Sequence, residues 1–190
     1  MTVISHFVTD RLRFGWSPDD LVQRAARAAR QGVSAIQIRE RDLDDRDLVA
    51  LVRRVLAAVG SAPARVLVND RLDVALAAGA HGVHLRGDSI AGRRVRAIAP
   101  AGFLVGRSVH DLDEVDAAAA DGACDYLLFG TVFPSAGKPA GHHAAGLDAL
   151  REACRRSPIP VLAIGGIDPS RVPIVTQAGA AGFAAIGLFV

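Results

Sequence analysis

Short apolar runs alternate along the whole chain with alanine-rich segments whose apolar residues recur at helical spacing. Several of the runs are almost continuously apolar, which is typical of parallel strands buried on both faces. The pattern predicts eight strands, at residues 6–10, 35–40, 65–70, 82–85, 104–110, 126–130, 161–166 and 182–187. It predicts helices between the strands, most clearly at residues 19–31, 45–59 and 111–120.

The repeated strand and helix unit predicts an α/β fold with right-handed crossovers. Eight repeats favour a closed (β/α)8 TIM barrel of parallel strands over an open, doubly wound sheet. We expect residues 1–190 to form a single domain, because 51% of the residues are hydrophobic and can fill one aliphatic core. The sequence provides no segment for an eighth helix after the last strand. This would leave a bare groove between the last and the first helix. Either a partner subunit or residues 14–16 would cover the groove, or the chain has been shortened.

Charge and cysteine content narrow the class of partner. The net charge of +2 is spread over interleaved acids and bases, and the arginine pairs lie on amphipathic stretches without interleaved aromatic residues. This favours solvated helix faces over a nucleic-acid surface. No signal peptide is recognisable, and no apolar run approaches the roughly 20 residues that span a bilayer. The two cysteines lack metal-ligand spacing. We therefore expect a cytoplasmic protein without nucleic-acid or membrane partners.

Polar residues cluster at the carboxyl ends of the predicted strands, where barrels carry their active sites. Gln37, Arg39 and Arg41 lie on one face of the second strand because side chains alternate along a strand. Two guanidinium groups pointing into a barrel require an anion, such as a phosphate or a carboxylate, to offset their desolvation. Internal pairing of Arg39 with Asp70 or Glu40 is the alternative.

Glycines end the last two strands, at Gly165 and Gly166 and at Gly187. In many barrels this position binds a phosphate, since backbone N–H groups can approach it closely; a tight turn is the alternative. The long loop of residues 131–145 carries Lys138, the only lysine of the chain. We interpret this loop as a lid whose lysine neutralises a phosphate, against the alternative of a solvated side chain.

Motifs along almost the whole chain resemble the superfamily of thiamine phosphate synthase and the thiazole tautomerase TenI. They are residues 8–10 (VTD), 37–41 (QIRER), 69–75 (NDRLDVA), 82–85 (GVHL), 105–110 (VGRSVH), 125–130 (DYLLFG), 132–134 (VFP) and 163–167 (AIGGI). The synthase joins hydroxymethylpyrimidine pyrophosphate to thiazole phosphate with Mg2+. The tautomerase aromatises a carboxythiazole phosphate by proton transfer, without a metal.

The resemblance implies roles for individual residues. The predicted substrate and phosphate contacts are Gln37, Arg39, Arg41, Asn69, Ser108, Thr131, Ser135, Lys138, Gly165, Gly166, Ile186 and Gly187. If the protein is a synthase, Asp70 is the first Mg2+ ligand. Ser89 replaces the aspartate that the family uses as second ligand, which leaves Asp88 to substitute for it. Family synthases also carry a lysine where this chain has Arg41.

The weakened metal site leads us to predict a tautomerase, an isomerase with no cofactor. Thr131 stands where a tautomerase carries its histidine, so His110 and His142 are the candidates for proton transfer. Thiamine phosphate synthase is the main alternative. A non-catalytic thiazole-phosphate binding protein and another phosphate-binding barrel enzyme also stay open. We further expect a homodimer.

Overall fold

The computed structural model describes residues 3–135 and 143–189 and shows a closed barrel of eight parallel strands. Each strand pairs with the next, and β8 pairs with β1. The strands are β1 (Ile4–Val8), β2 (Ala35–Ile38), β3 (Arg65–Asn69), β4 (Gly82–Leu85), β5 (Leu104–Val109), β6 (Tyr126–Phe129), β7 (Val161–Ile164) and β8 (Gly182–Ala185). The predicted (β/α)8 barrel is confirmed.

Most predicted strands extend one or two residues too far at their carboxyl ends, and β1 begins two residues earlier than predicted. The surplus residues include Arg39, Asp70 and His110, which the sequence pattern cannot separate from the strands before them. They leave the strand ladder and surround the mouth of the barrel. Of these surplus residues, Arg39 and His110 border the cavity at this end of the barrel.

Helices follow the strands. They are α1 (Arg11–Phe14), α2 (Pro18–Arg30), α3 (Asp45–Val59), α4 (Leu72–Ala78), α5 (Gly92–Arg96), α6 (Leu112–Asp121), α7 (Gly146–Arg156) and α8 (Val172–Gln177). The three helices that the sequence predicted most clearly, α2, α3 and α6, each have a side-chain cap at the N-terminus. Ser17 and Asp20 form a capping box on α2, and Asp44 and Asp111 each accept an N–H at the start of α3 and α6.

The residues after β8 bear on the predicted absence of an eighth crossover helix. α8 lies between β7 and β8, and the described residues beyond β8 form a 3-10 turn, Gly187–Phe189. The Phe189 ring packs 5.3 Å from that of Phe7 and 6.2 Å from that of Phe183. Trp16 stacks on Phe14 and also packs against the core. Aromatic side chains thus cover part of this end of the barrel wall.

Two apolar layers hold the barrel together. The larger lies between the strands and the helices and includes Leu21, Val52 and Leu150, all fully buried. The smaller fills the barrel interior and consists of Val8, Ala35, Leu67, Tyr126, Leu128, Leu162 and Ala184. The free thiol of Cys124 is buried and that of Cys154 is half-buried. Among the described residues, no helix is long and apolar enough to cross a membrane.

Candidate active site

A cavity of about 610 Å3 opens at the carboxyl ends of the strands, and we call it the mouth cavity. The predicted residues that line it are Gln37, Arg39, Arg41, Asn69, Asp88, Ser108, His110, Thr131, Ser135, Gly165 and Ile186. Polar residues to which the prediction gave no role also line it, namely Asp10, Arg13, His84, Arg86 and Glu114. Lys138 and His142 lie outside the described residues. The barrel topology thus gathers residues from all eight strand ends or the loops that follow them around one space.

Four arginines line the mouth cavity, against the three carboxylates of Asp10, Asp88 and Glu114. Arg39 lies 3.8 Å from Asp10, and burial lowers its pKa, as does the neighbouring charge of Arg41. Within the described ranges, Arg41 has no carboxylate partner. An electrostatic surplus of this kind favours a ligand with several negative charges.

Internal pairing of Arg39 with Glu40 or Asp70, the alternative considered from the sequence, does not occur. Glu40 points outward and accepts a hydrogen bond of 2.6 Å from Thr9 Oγ1. It also lies 3.5 Å from Arg11 Nε. Burial raises the pKa of Glu40, while the Thr9 hydrogen bond opposes that change. The alternation along the chain after β2 therefore directs the guanidinium of Arg39 and the carboxylate of Glu40 to different partners.

A second cavity of about 290 Å3, the glycine-lined cavity, adjoins the mouth cavity. Gly165, Gly166, Ile186 and Gly187 line it, together with Ser135 and Arg13. The φ angles of Gly165 and Gly166 are 99° and 64°, in the left-handed region that favours glycine. A Cβ on Gly165 would lie 2.4 Å from Thr131 Cγ2, and one on Gly166 would lie 2.6 Å from the Pro134 carbonyl oxygen.

Arg171 holds the glycine turn from behind, which the sequence alone did not reveal. Its Nη1 donates a hydrogen bond of 2.5 Å to the carbonyl oxygen of Gly166. Its guanidinium also lies over the Phe133 ring, 4.7 Å from the centroid. The loop after β6 and the loop after β7 are thereby joined at the glycine-lined cavity.

Asp70 and Asp88, the predicted Mg2+ ligands, are not brought together as a pair. Arg86 contacts both, at 3.8 Å from Asp70 Oδ2 and 2.7 Å from Asp88 Oδ2. Ser89 donates a hydrogen bond to Asp70 Oδ1, and Asp70 has a φ of 62°. No cluster of three potential metal-binding side chains occurs in residues 3–135 and 143–189.

Mg2+ needs oxygen ligands in near-octahedral geometry and is usually bound by one or two carboxylates plus substrate phosphates. In the described part of the chain, the charge of Asp88 is already offset by the Arg86 guanidinium. The carboxylate of Asp70 accepts a hydrogen bond from the hydroxyl group of Ser89. Arg86 thus lies against both carboxylates, and the assignment of Asp70 and Asp88 as Mg2+ ligands stays a prediction.

Two separate hydrogen-bonded groups of polar side chains lie between the barrel interior and the mouth cavity. Gln37 Nε2 donates to Asn69 Oδ1 at 2.9 Å. His84 contacts the Tyr126 hydroxyl through Nδ1 at 3.0 Å and Ser108 Oγ through Nε2 at 2.9 Å. The sequence predicted Gln37, Asn69 and Ser108 as contacts of a ligand. It gave no sign that His84 and Tyr126 support Ser108 from below.

His110 and Thr131, both predicted site residues, differ in environment. The His110 backbone N–H and Nδ1 both contact Glu114 Oε2, at 2.7 and 2.9 Å, and its side chain is half exposed. Thr131 is buried against Gly165. Both residues border the mouth cavity.

Fold and site together define a (β/α)8 barrel with a cationic mouth and an adjoining cavity built on glycines. A family model described as thiamine monophosphate synthase matches residues 5–189. The chain belongs to this family, as its motifs predicted. The finding supports a role in thiamine biosynthesis.

Individual relatives agree with the family match. The chain is 40% identical over 186 residues to the thiamine-phosphate synthase of Methanocella arvoryzae. The aligned residues cover 97% of this chain and 86% of that protein. It is 43% identical over 162 residues to the thiamine-phosphate synthase of Anaeromyxobacter dehalogenans, covering 85% and 72%.

Solved structures share the fold. The thiamine phosphate pyrophosphorylase of Pyrococcus furiosus superposes with a TM-score of 0.84 at 32% identity, over 97% of this chain and 85% of that one. A 3-hexulose-6-phosphate synthase shares the fold, with a TM-score of 0.71 at 18% identity, over 98% of this chain and 90% of that one.

The preference for an isomerase is corrected by these comparisons. The family description and the similar proteins are named as synthases, which are transferases, and not as tautomerases. The replacement of the second carboxylate by Ser89 does not by itself indicate an isomerase. The proton-transfer roles of His110 and His142 depend on the isomerase activity and are withdrawn with it.

Proposed function

We propose that the protein is a thiamine phosphate synthase, which joins hydroxymethylpyrimidine pyrophosphate to thiazole phosphate and releases pyrophosphate. One observation carries the proposal: the cationic mouth cavity and the glycine-lined cavity share Arg13, Ser135 and Gly165. Two ligands that each carry phosphate can therefore lie side by side. A reaction between two bound substrates needs this proximity, because orientation supplies much of the rate enhancement.

The mouth cavity would hold the pyrimidine substrate. Gln37 and Asn69, already hydrogen-bonded to each other, present amide groups to a polar ring. Arg39, Arg41 and Arg86 neutralise the pyrophosphate group, and Ser108 adds a hydroxyl. As the C–O bond to pyrophosphate breaks, both bonding electrons leave with the oxygen, and the guanidinium groups stabilise the negative charge that develops there.

The glycine-lined cavity would hold the phosphate of the thiazole substrate. Backbone groups of Gly165, Gly166 and Gly187 can approach an anion closely because no side chain intervenes. The thiazole ring then lies toward the mouth cavity, where its nitrogen donates a lone pair to the pyrimidine methylene carbon and forms the new C–N bond. Ser135 and Thr131 lie where the two substrates would meet, and Lys138 is assigned to the phosphates by the sequence argument alone.

The resemblance implies Mg2+ for this reaction. Asp70 is the residue that could present carboxylate oxygens to the ion, and bound Mg2+ would offset the charge of pyrophosphate. Because Arg86 offsets the charge of Asp88, we assign most of the charge neutralisation to the arginines. The homodimer stays a prediction.

A two-substrate assay tests the proposal. Purified protein is incubated with the pyrimidine pyrophosphate and thiazole phosphate, at zero and at millimolar Mg2+, and thiamine phosphate and pyrophosphate are quantified. We expect equal amounts of both products. The Asn69→Ala variant removes a proposed substrate contact without removing charge, and it should form both products more slowly than the wild type. Absence of thiamine phosphate at every Mg2+ concentration would rule out the synthase.

A further inference from the structure

His84 lies inside the barrel with both ring nitrogens engaged. Nδ1 lies 3.0 Å from the Tyr126 hydroxyl oxygen, and Nε2 lies 2.9 Å from Ser108 Oγ. The His84 side chain is buried, and Tyr126 is buried beside it, with the ring centroids 5.6 Å apart. Ser108 is the only one of the three that is not fully buried, and it borders the mouth cavity together with His84. The three residues form a relay from the interior to the site.

The protonation states of the relay follow from its burial. Burial raises the pKa of Tyr126 well above its usual value, so the phenol keeps its proton. Burial lowers the pKa of His84 well below its usual value, with the charge of His6 adding to the effect. His84 is therefore neutral at physiological pH. A neutral imidazole donates from one nitrogen and accepts at the other.

The direction of the relay is then determined by Tyr126. Among the described residues, His84 Nδ1 is the hydrogen-bond partner of the Tyr126 hydroxyl. A buried hydroxyl proton without an acceptor costs free energy, so the phenol donates to Nδ1. Nε2 then carries the ring proton and donates to Ser108 Oγ. The proton of Ser108 is left to point away from His84.

We propose that Tyr126, acting through His84, makes Ser108 a hydrogen-bond donor toward an anionic oxygen bound in the mouth cavity. Tyr126 and His84 are positioning residues, and Ser108 is the residue that contacts the ligand. The opposite tautomer would let Ser108 donate to His84 and would leave a lone pair facing the anion. Naming that anion as a pyrophosphate group rests on the proposed function.

Gly106 supports this role for Tyr126. It pairs directly with Tyr126 across β5 and β6. A Cβ at Gly106 would lie 2.1 Å from Tyr126 Cζ and 2.3 Å from its hydroxyl oxygen. The ring therefore occupies space that any other residue at position 106 would fill. This glycine places the phenol under His84 and is not needed for a turn.

Two measurements test the proposal. The first is the His84 tautomer, read from the ring 15N shifts and long-range 1H–15N couplings of histidine-labelled protein at pH 7.5. We expect the proton on Nε2. His81 is an internal reference, because its Nδ1 accepts the Val66 N–H and its own ring proton must be on Nε2. A proton on Nδ1 of His84 would overturn the proposal.

The second measurement is a double-mutant cycle with inorganic pyrophosphate as the probe, by titration calorimetry. Tyr126→Phe should weaken binding about 5- to 10-fold in the wild-type background, in line with the loss of one hydrogen bond of correct polarity. In the Ser108→Ala background, the same change should alter affinity less than twofold. Equal effects in both backgrounds, or no effect in the wild type, would contradict the relay.

The outcomes also separate this inference from the proposed function. Pyrophosphate binding and the His84 tautomer do not require turnover. If the tautomer and the coupling are as expected but no thiamine phosphate forms, the synthase proposal fails and the relay stands. If the wild type does not bind pyrophosphate, the role of Ser108 toward an anion is refuted.

Discussion

Acidification should destabilise the protein through His6, which lies at the centre of the barrel. The side chain is buried, and its ring is 6.3 Å from that of His84 and 5.6 Å from that of Tyr126. Its Nε2 has no hydrogen-bond partner among the described residues. Burial lowers the pKa of His6 to about 4, and the Gln37 side chain opposes the change in part. The folded protein thus resists protonation that the unfolded chain accepts.

The magnitude follows from the two pKa values. Each pKa unit is equivalent to about 1.4 kcal/mol, so a drop from 6.5 to about 4 is equivalent to about 3.5 kcal/mol. Because the folded-state pKa is lowered, this stability is fully present above pH 6.5 and is lost as the pH falls toward 4. Between pH 7.5 and 4.5 the loss is about 2.5 kcal/mol, against a typical total of about 5–15 kcal/mol.

Urea unfolding at pH 7.5, 6.0 and 4.5 measures this effect. The wild type should lose about 2 to 3 kcal/mol more unfolding free energy than His6→Gln over that range. Other buried groups, such as His84 and Glu40, also change charge in acid, and comparing the two proteins cancels their shared contribution. His110→Gln is the matched control, since that side chain is half exposed, and it should follow the wild type. Parallel pH curves for wild type and His6→Gln would refute the reasoning.

Three further changes have expected outcomes. Arg86→Gln should weaken pyrophosphate binding about 10- to 100-fold in calorimetry, as expected for one charge-assisted contact, while Arg53→Gln, on the outer surface, should leave it unchanged. Gly166→Ala should weaken binding of thiazole phosphate at least 10-fold, because its Cβ would meet a carbonyl oxygen at 2.6 Å. Gly15→Ala imposes similar backbone strain, but its Cβ would have no neighbouring atom within 4 Å. This variant should bind thiazole phosphate as the wild type does. Asp44→Ala should lower stability by about 1 kcal/mol, or about 2–4 °C in Tm, without loss of binding; an unchanged Tm would contradict the cap.

The barrel could be predicted because its signals are local. The range of α3 and that of β4 were predicted to the residue, since an amphipathic stretch with an aspartate before it, or a short apolar run after a helix-ending glycine, depends only on neighbouring residues. The strand ends were predicted less well. Polar residues such as Arg39 continue the alternation of the strand while their backbone has left the ladder.

The sequence indicated several residues that border the mouth cavity, but not the contacts between their side chains. Gln37, Asn69 and Ser108 border the mouth cavity as expected. The pairing of Arg86 with both Asp70 and Asp88 was not foreseen, and neither was the contribution of Arg13. The enzyme class was wrong for a related reason, because the effect of one lost carboxylate depends on what surrounds it.

The sequence by itself therefore determined the repeated unit, the barrel and the polar strand ends, since periodicity and turn residues act over a few positions. Only the tertiary structure decided which side chains meet. Tyr126, His84 and Ser108 lie on three successive strands and are 18 to 42 positions apart along the chain. Their contacts depend on barrel closure and strand register, and the hydrogen-bond direction between them depends on burial that exists only in the folded protein.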